Sequence, residues 1–380
     1  MQFTPCLFLG RYAYLYPLNM RSSNYKRRQL VTALTLLIII VLLICFRQKP
    51  DWVERFYFGG LYPVICYLLR PLFNLAPFSL GDIIYLFVIA CLLAGSFKAL
   101  WYLFKARFNL LGRLAFRFLI ALEISWLVFY LCWGLNYYRP PAAQLLGLAD
   151  TSYTISDVAR VTALIIDSAN NCRKGLSSID LTQGRPGFYA PAQSAVKGLA
   201  IISPKFKTVS PRVKPSLLSW LLNYMGTSGY YNPFTTEAQI NNLMPVFDKP
   251  FVACHEMAHQ TGWAREDEAD FAGYLAGINS GDRLLRYSAY YAGIEEFMGY
   301  LRRRDTLAHK NLRLKISPLV MQDFRTDSAY WAKYQGGAQM VSGVFFDKFL
   351  KANNQPHGLH TYNRMILLTM AWYRRTRHTW

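Results

Sequence analysis

Acidic side chains are scarce in this chain. Its 380 residues include 22 Asp and Glu against 42 Lys and Arg, which gives a formal net charge of +20. A basic excess of this size is typical of nucleic-acid-binding proteins. Residues 1–29 and 98–117 contain no acid, however, and about half of the excess lies in these two segments beside long apolar runs. We therefore attribute much of the charge to membrane topology and expect no nucleic-acid partner.

Cysteine is too sparse for a disulfide framework. Of the seven cysteines, only Cys172 and Cys254 lie beyond residue 135, which excludes the stapled fold of small secreted proteins for that region. Cys254 precedes a histidine but points about 100° away from it on a helix. We expect Cys254 to be buried as a small apolar side chain and not to bind a metal.

Long apolar runs are present instead. Residues 30–46, 83–104 and 118–135 each predict a transmembrane helix. Residues 52–80 are also apolar, but prolines at positions 63, 71 and 77 interrupt them, so we predict a segment at the membrane–water boundary. The basic residues before the first span and between the second and third place the N-terminus in the cytoplasm. Three crossings then leave residues 136–380 outside the cytoplasm.

The N-terminal segment lacks the marks of a cleavable signal peptide, because no small-residue cleavage site follows Phe46. We interpret residues 1–29 as a basic cytoplasmic tail. Met20 opens a conventional basic segment before the first span, so Met1 and Met20 are both candidate starts of translation. Glu123 lies in the third predicted span, where an ionisable side chain is a functional candidate. A simple pairing with Arg117 or Lys98 near the cytoplasmic end is the alternative.

Histidine is rare, with six in the chain, yet two of them stand four residues apart in His255-Glu256-Met257-Ala258-His259. On a helix with 3.6 residues per turn, this spacing sets both imidazoles on one face, where they can bind one tetrahedral Zn²⁺. Glu256 lies about 100° round the helix. It is placed to act as general base on a zinc-bound water and not as a ligand.

A catalytic zinc site needs a third protein ligand. Pro250 suits the first turn of the motif helix and Gly262 suits its end, so the chain can fold back and start a second helix near Arg265. On that helix, Glu266 and Asp270 share one face. We predict Glu266 as the third ligand, and Asp270 as the acceptor for the free N–H of a liganding histidine.

Other carboxylates remain alternatives for the third ligand. Glu268 points about 200° away from Glu266 on the same helix, so both cannot bind one metal. Glu295 and Glu296 lie on a later helix. A zinc hydrolase also needs a donor for the developing oxyanion, and Tyr287, Tyr291 and His360 are the candidates that we single out.

The pattern Glu266-x-x-Ala269-Asp270 after the histidine motif resembles the gluzincins, in which the first Glu of such a stretch is the third zinc ligand. The interval of seven residues from His259 to Glu266 is shorter than in those enzymes and nearer that of metzincins, which would have His or Asp in place of Arg265. A resemblance to an uncharacterised family of bacterial membrane proteins, typical of Bacteroidetes and with a predicted metallopeptidase motif, covers nearly the whole chain. The stretches that carry it are Trp133–Pro140, Asn232–Ala238, Cys254–Phe271 and Arg286–Tyr290.

These resemblances imply a multi-pass protein of the bacterial inner membrane. We predict a mainly α membrane protein in which residues 30–135 form the membrane domain and residues 136–380 form an α-rich α+β zincin-like domain outside the cytoplasm. Its function would be that of a zinc-dependent metallopeptidase that acts on peptides or proteins of the cell envelope beside the lipid bilayer. The alternative is a non-catalytic envelope protein with a structural or vestigial zinc site that binds a partner or lipid.

Four local predictions concern the C-terminal domain. Residues 156–169 have apolar positions at helical spacing, and residues 184–191 are expected to form a loop. Residues 217–225 are too short to span a membrane and predict a buried helix. Residues 235–244 predict an extended edge strand beside the motif helix, where zincins bind substrate by strand addition.

Overall fold

The computed structural model describes residues 18–148, 153–182, 185–356, 358 and 365–376, and it is mainly helical with one small sheet. Contacts divide the chain into two compact units. One consists of Met1–Phe46 and Gly95–Leu127, and the other of Arg47–Ala94 and Val128–Trp380. The second unit contains the histidine motif. His360 lies outside the described residues.

Four helices of the described chain are long and apolar enough to cross a membrane, which is the composition of a membrane protein. They are Lys26–Arg47, Pro50–Asn74, Leu80–Phe104 and Phe108–Cys132. The first is the apolar part of α1 (Leu18–Arg47), and the last two are α4 and α5. Three of them coincide with the predicted spans, although α5 ends at Cys132 and the chain continues in a 3-10 turn at Gly134–Tyr138.

Pro63 and Pro71 do not interrupt the second of these helices, so the prediction was wrong for these two prolines, whereas Pro77 lies beyond the end of the helix at Asn74. Helix α2 (Pro50–Trp52), a π-helical stretch (Val53–Leu61) and α3 (Tyr62–Asn74) follow each other without a break. Pro63 lies in the first turn of α3, where the missing N–H costs little. We call this continuous segment, Pro50–Asn74, the lateral helix.

Both ends of the lateral helix are bound to the C-terminal domain. Near its start, Glu54 accepts hydrogen bonds from Arg139 and Lys205, each at 2.7 Å. Near its end, Arg70 donates to the carbonyl oxygens of Val209, at 2.8 Å, and Gln260. The sixteen residues from Glu54 to Arg70 span about 24 Å of helix. The lateral helix therefore lies along the domain over most of its length.

The C-terminal domain is built from helices around a small sheet. Its helices are α6 (Ala142–Leu145), α7 (Ile155–Lys174), α8 (Ser178–Leu181), α9 (Arg185–Ile202), α10 (Ser219–Met225), α11 (Lys249–Gln260), α12 (Glu266–Ile278), α13 (Arg283–Arg304), α14 (Thr306–Arg313), α15 (Pro318–Ala332), α16 (Gly337–Ala352) and α17 (Met365–Thr376). A 3-10 turn occupies Pro204–Phe206. The core lies where α7, α9, α11, α12 and α13 meet.

The helix predicted at residues 156–169 is confirmed as α7. Thr154 and Asp157 form a capping box at its start, which satisfies backbone N–H groups that the first turn leaves free. Its apolar stripe, which includes Val158, Val161 and Ile165, is fully buried. The loop predicted at residues 184–191 is wrong from Arg185 onward, because α9 begins there and continues through Pro191.

Within residues 217–225, Ser219–Met225 form α10, but the prediction of a buried helix was wrong for one of its faces. Leu217, Trp220 and Tyr224 are each about half exposed, at 48%, 58% and 48%. An apolar segment too short to span a membrane is usually covered by its own domain. Here Leu222 is buried, whereas Trp220 and Tyr224 face outward.

The sheet has the strand order β1-β3-β2, where β1 is Val213–Pro215, β2 is Gly229–Asn232 and β3 is Glu237–Ile240. Strand β1 is parallel to β3, and β2 is antiparallel to β3. The predicted edge strand at residues 235–244 is therefore the central strand. The edge strand that passes against α11 is β2.

A buried ion pair joins the sheet to the start of α4. Lys214 of β1 and Glu237 of β3 lie 2.6 Å apart and are both nearly inaccessible to solvent. Glu237 also accepts from the backbone N–H of Gly81 at 2.6 Å. A carboxylate at a helix N-terminus satisfies free donors and complements the helix dipole. This contact fixes the sheet at the first turn of an apolar helix.

Candidate metal centre

Helix α11 carries the histidine motif and has the predicted limits. Pro250 lies in its first turn, and Gly262 follows its end with a φ of +89°, a left-handed conformation that glycine adopts without strain. The next helix, α12, begins at Glu266 as the pattern predicts. A Cβ on Gly273 would lie 3.0 Å from the backbone nitrogen of His255. The small residue thus lets α12 approach α11 closely.

Both histidines and Glu266 converge on one point. Nε2 of His255 lies 3.3 Å from Oε2 of Glu266, and Nε2 of His259 lies 3.7 Å from the same oxygen. In a tetrahedral zinc site with bonds of about 2.0–2.1 Å, neighbouring ligand atoms lie roughly 3.4 Å apart. The distances from Oε2 of Glu266 to the two histidine nitrogens are close to this spacing, as for ligands of one cation.

The opposite ring nitrogens each lie beside an oxygen atom, at ion-pair distance for His255 and in a hydrogen bond for His259. Nδ1 of His255 lies 2.7 Å from Oδ1 of Asp270, and Nδ1 of His259 lies 2.7 Å from the carbonyl oxygen of Trp263. An acceptor at Nδ1 holds the proton there and leaves the lone pair of Nε2 free for a metal. Asp270 occupies the position that its spacing from Glu266 predicts.

The carboxylate of Glu266 remains ionised although burial alone would raise its pKa. Hydrogen bonding to His255 and His259 outweighs the burial and lowers the pKa below its ordinary value. An anion between two imidazoles is a donor set that suits a divalent cation, and zinc in particular.

Glu256 lies beside this point but is not part of the triangle. One of its carboxylate oxygens and one nitrogen of each histidine lie within 4.8 Å of one another. Its Oε2 is buried and has no hydrogen-bond partner within the described part of the chain. Burial raises the pKa of Glu256 to about 7, against the opposing effect of His255 and His259.

Gly229 of β2 leaves the space that Glu256 occupies. A Cβ at this position would lie 2.7 Å from Oε1 of Glu256 and 2.9 Å from its Cγ. Only glycine permits so close an approach. The edge strand of the sheet therefore passes directly against this carboxylate.

The alternative third ligands are placed elsewhere. Oε1 of Glu268 accepts from the N–H of Ala142 at 2.8 Å and from Arg265 at 3.2 Å, so it binds the chain that follows α5. Within the described residues, the carboxylates that reach the histidine rings at ion-pair distance are Glu266 and Asp270. Neither Glu295 nor Glu296 of α13 is among them.

The predicted oxyanion donors are not brought to the histidines in any contact that the structure describes. The hydroxyl of Tyr287 donates to Asp323, which in turn pairs with Arg173 at 2.5 Å. The ring of Tyr291 stacks on Phe324 at 4.4 Å. Both tyrosines are fully buried, so they serve the packing of α13 and α15.

Aromatic side chains that we did not single out surround His259. The ring of Trp133 lies 5.9 Å from the imidazole and the ring of Tyr231 lies 6.1 Å from it. Trp133 follows α5 and Tyr231 belongs to β2, so these neighbours come from remote parts of the sequence. The only signal was the high aromatic content near residues 133–138, which does not reveal the contact.

The turn after His259 is held by the lateral helix. Nη1 of Arg139 donates to the carbonyl oxygen of Gly262 at 2.8 Å, while its Nε donates to Glu54. Arg70 binds the carbonyl oxygen of Gln260, the residue after His259. These charge-assisted bonds fix the end of α11. The position of His259 thus depends on residues about 190 positions earlier in the sequence.

Comparison with known families identifies the chain. Residues 57–370 match the model of a family described as "Protein of unknown function (DUF3810)". The match covers most of the chain, so the protein belongs to this family. No curated protein and no solved structure matches the sequence.

Proposed function

We propose that the protein is a membrane-anchored zinc hydrolase and, more specifically, a metallopeptidase. The observation that carries this proposal is the convergence of His255, His259 and Glu266 on one point, with ligand atoms 3.3 and 3.7 Å apart. In this proposal the three residues bind Zn²⁺ and Glu256 is the general base. The alternatives to Glu266 are disfavoured because Glu268 is bound to Ala142 and Arg265.

The bound ion would polarise a substrate carbonyl and lower the pKa of water. Glu256 accepts the proton of the attacking water and can transfer it to the leaving amine. Asp270 and the carbonyl oxygen of Trp263 keep the two histidines in the tautomer that binds the ion. A purely structural zinc site would have no use for the unpaired carboxylate oxygen of Glu256, so this oxygen favours an enzyme over a non-catalytic zinc protein.

Peptide is the substrate that the sheet suits best. Strand β2 is an edge strand of the sheet and passes against Glu256 at Gly229. A peptide added to this edge in extended form would have its backbone aligned beside the base. The observation favours a peptidase over a hydrolase of small esters or amides, which need no such edge.

Metal content tests the ligand set. Purified full-length protein should contain about one zinc per chain, as measured by elemental mass spectrometry. Glu266→Gln should lower the occupancy strongly, whereas the matched change Glu296→Gln should leave it at the level of the parent. Full zinc content in Glu266→Gln, or loss in Glu296→Gln, would refute the ligand assignment.

Activity tests the base. Against a library of peptides, Glu256→Gln should reduce cleavage by about 10²–10⁴-fold while zinc content is unchanged. Equal cleavage by the parent and Glu256→Gln would contradict the mechanism. The parent could contain zinc at full occupancy and yet cleave neither peptides nor other acyl substrates. That result would favour the alternative, a non-catalytic zinc protein.

For topology, we propose three spans with the N-terminus in the cytoplasm and the C-terminal domain outside. The lateral helix is long enough to be a fourth span, but both of its ends bind the C-terminal domain, which favours a position along the domain surface. A fourth crossing would also move the domain into the cytoplasm. Alkaline phosphatase fused after Trp380 should be active, and an inactive but stable fusion would overturn this topology.

A further inference from the structure

Helix α16 presents an apolar stripe to its surroundings instead of to its own domain. Met340, Val341, Val344 and Phe345 recur at the spacing of one helical face and are 70%, 51%, 51% and 70% exposed. On a water-exposed helix this face would be polar. In the sixteen residues of α16, Leu350 is the one that is fully buried.

A second exposed apolar surface adjoins it. Helix α10 packs against α16, and a Cβ on Gly226, at the end of α10, would lie 2.9 Å from Cγ of Gln339. Trp220 and Tyr224 of α10 are 58% and 48% exposed. We call the combined surface the apolar platform, defined by Trp220, Tyr224, Met340, Val341, Val344 and Phe345.

The platform is attached to the start of α4. Asp82, in the first turn of that helix, accepts hydrogen bonds from the N–H of Leu217 at 2.6 Å and from the hydroxyl of Ser216 at 3.0 Å. These two residues lead directly into α10. Hydrogen bonds therefore join the residues that precede α10 to the first turn of α4, a helix with the length and composition of a membrane span.

It is attached to the end of α5 as well. The rings of Phe129 and Phe349 lie 6.0 Å apart, and the hydroxyl of Tyr130 donates to Asn353 at 3.0 Å. The platform thus contacts the start of α4 and the end of α5, the next helix. If α4 crosses a bilayer and α5 crosses back, these two contacts lie on the same side of the membrane.

We infer that the apolar platform lies in the interfacial layer of the bilayer, with lipid as its partner. Its apolar surface continues that of two spans at the level where they leave the hydrocarbon. Trp and Tyr are the residues that membrane interfaces favour. Lys348 is exposed on the same helix, where anionic headgroups would attract it. The inference does not depend on a metal or on catalysis, because it rests on the contacts of α10 and α16.

A photoreactive side chain tests the inference in the intact protein. Phe345→p-benzoylphenylalanine, in full-length protein reconstituted into lipid nanodiscs, should form adducts with lipid on irradiation, detected by mass spectrometry. Leu93, 67% exposed in α4, is the matched position within a helix of membrane-span length. Ile179, 76% exposed on α8, is the matched position on a helix that is too short to span a membrane. Lipid adducts should be about tenfold more abundant at 345 than at 179.

Several results would overturn the inference. One is the lack of lipid adducts at 345 in a sample series where position 93 reacts. A second is equal labelling at 345 and 179, and a third is cross-linking of 345 mainly to a second copy of the chain. The three variants should unfold at the temperature of the parent, because each replaces an exposed side chain. A second probe at Met340 repeats the measurement one turn away, so a folding defect at 345 cannot decide the outcome.

Discussion

Oδ1 of Asp270 lies 2.7 Å from Nδ1 of His255, on the helix that also supplies Glu266. In the proposed metal site, one helical turn thus provides both the third ligand, Glu266, and the carboxylate that orients a histidine. Since the two carboxylates are four residues apart, they share a face of α12. A rotation of this helix would disturb both contacts together.

The first prediction concerns this orienting contact. Asp270→Asn should weaken zinc binding by about 10–100-fold, because the histidine loses the acceptor that raises its basicity. The measurement is competition with a chelator of known affinity. Glu296→Gln is the control on a neighbouring helix and should bind zinc as the parent does. An unchanged zinc affinity in Asp270→Asn would show that the contact does not support the metal.

A second prediction uses the close contact between Gly229 and Glu256. Gly229→Ala places a Cβ 2.7 Å from Oε1 of Glu256 and 2.7 Å from the carbonyl oxygen of Gln239, so the base, the strand or both must move. We expect peptide cleavage to fall by about 10²-fold, the effect of a misplacement near 1 Å, with zinc content retained. The control is Gly198→Ala, where a Cβ meets no neighbour within 4 Å. Full activity in Gly229→Ala would show that the contact with β2 does not position Glu256 for catalysis.

The third prediction concerns the buried pair of Arg139 and Glu54. Arg139 is 3% exposed and Glu54 is 14% exposed, at a distance of 2.7 Å. Arg139→Met should lower the free energy of unfolding by about 3–5 kcal/mol, because it leaves a buried carboxylate with Lys205 alone. The double variant Arg139→Met and Glu54→Gln should recover part of this loss. Chemical unfolding in detergent measures both, and equal losses in the single and double variants would contradict the account.

A fourth prediction concerns pH. Burial raises the pKa of Asp248 well above its ordinary value, and the neighbouring Asp327, Glu295 and Asp323 raise it further. Burial also raises the pKa of Asp327. A carboxyl group whose pKa is raised in the folded protein stays protonated at pH values where it is ionised in the unfolded chain. The stability that it contributes is therefore present at low pH and falls as the pH rises.

Removal of one carboxyl should weaken this dependence. Relative to the parent, Asp327→Asn should be little changed at about pH 4.5, and its melting temperature should be higher by on the order of 2–4 °C at about pH 8.5. Melting curves of the full-length protein at the two pH values give the difference. If the difference in melting temperature between parent and variant is the same at both pH values, Asp248 and Asp327 do not make the stability depend on pH.

Much of the candidate site follows from local sequence. The spacing of His255 and His259, Gly262 after the helix, and the shared face of Glu266 and Asp270 are all set by helical geometry within sixteen residues. Helix limits depend on nearby caps and turns, so α11 and the start of α12 were predictable. The close approach of the two helices also follows, because Gly273 offers no side chain.

The lateral helix was not predictable in this way. Its prolines argue for interruption on local grounds, but the bonds of Glu54 and Arg70 to the C-terminal domain hold a continuous helix. Likewise, β2 has too few residues for a clear alternation, and it forms a strand because β3 supplies its hydrogen-bond partners. Local propensity is weak compared with such tertiary contacts.

By itself, the sequence determined the apolar helices and the pairing of two histidines with an acidic neighbour, because the period of a helix fixes which side chains share a face. Only the tertiary structure decided which carboxylate meets both imidazoles, which strand borders the base, and that the short apolar helix α10 faces outward. Those outcomes depend on contacts between residues far apart in the chain, and no local pattern encodes the distance between them.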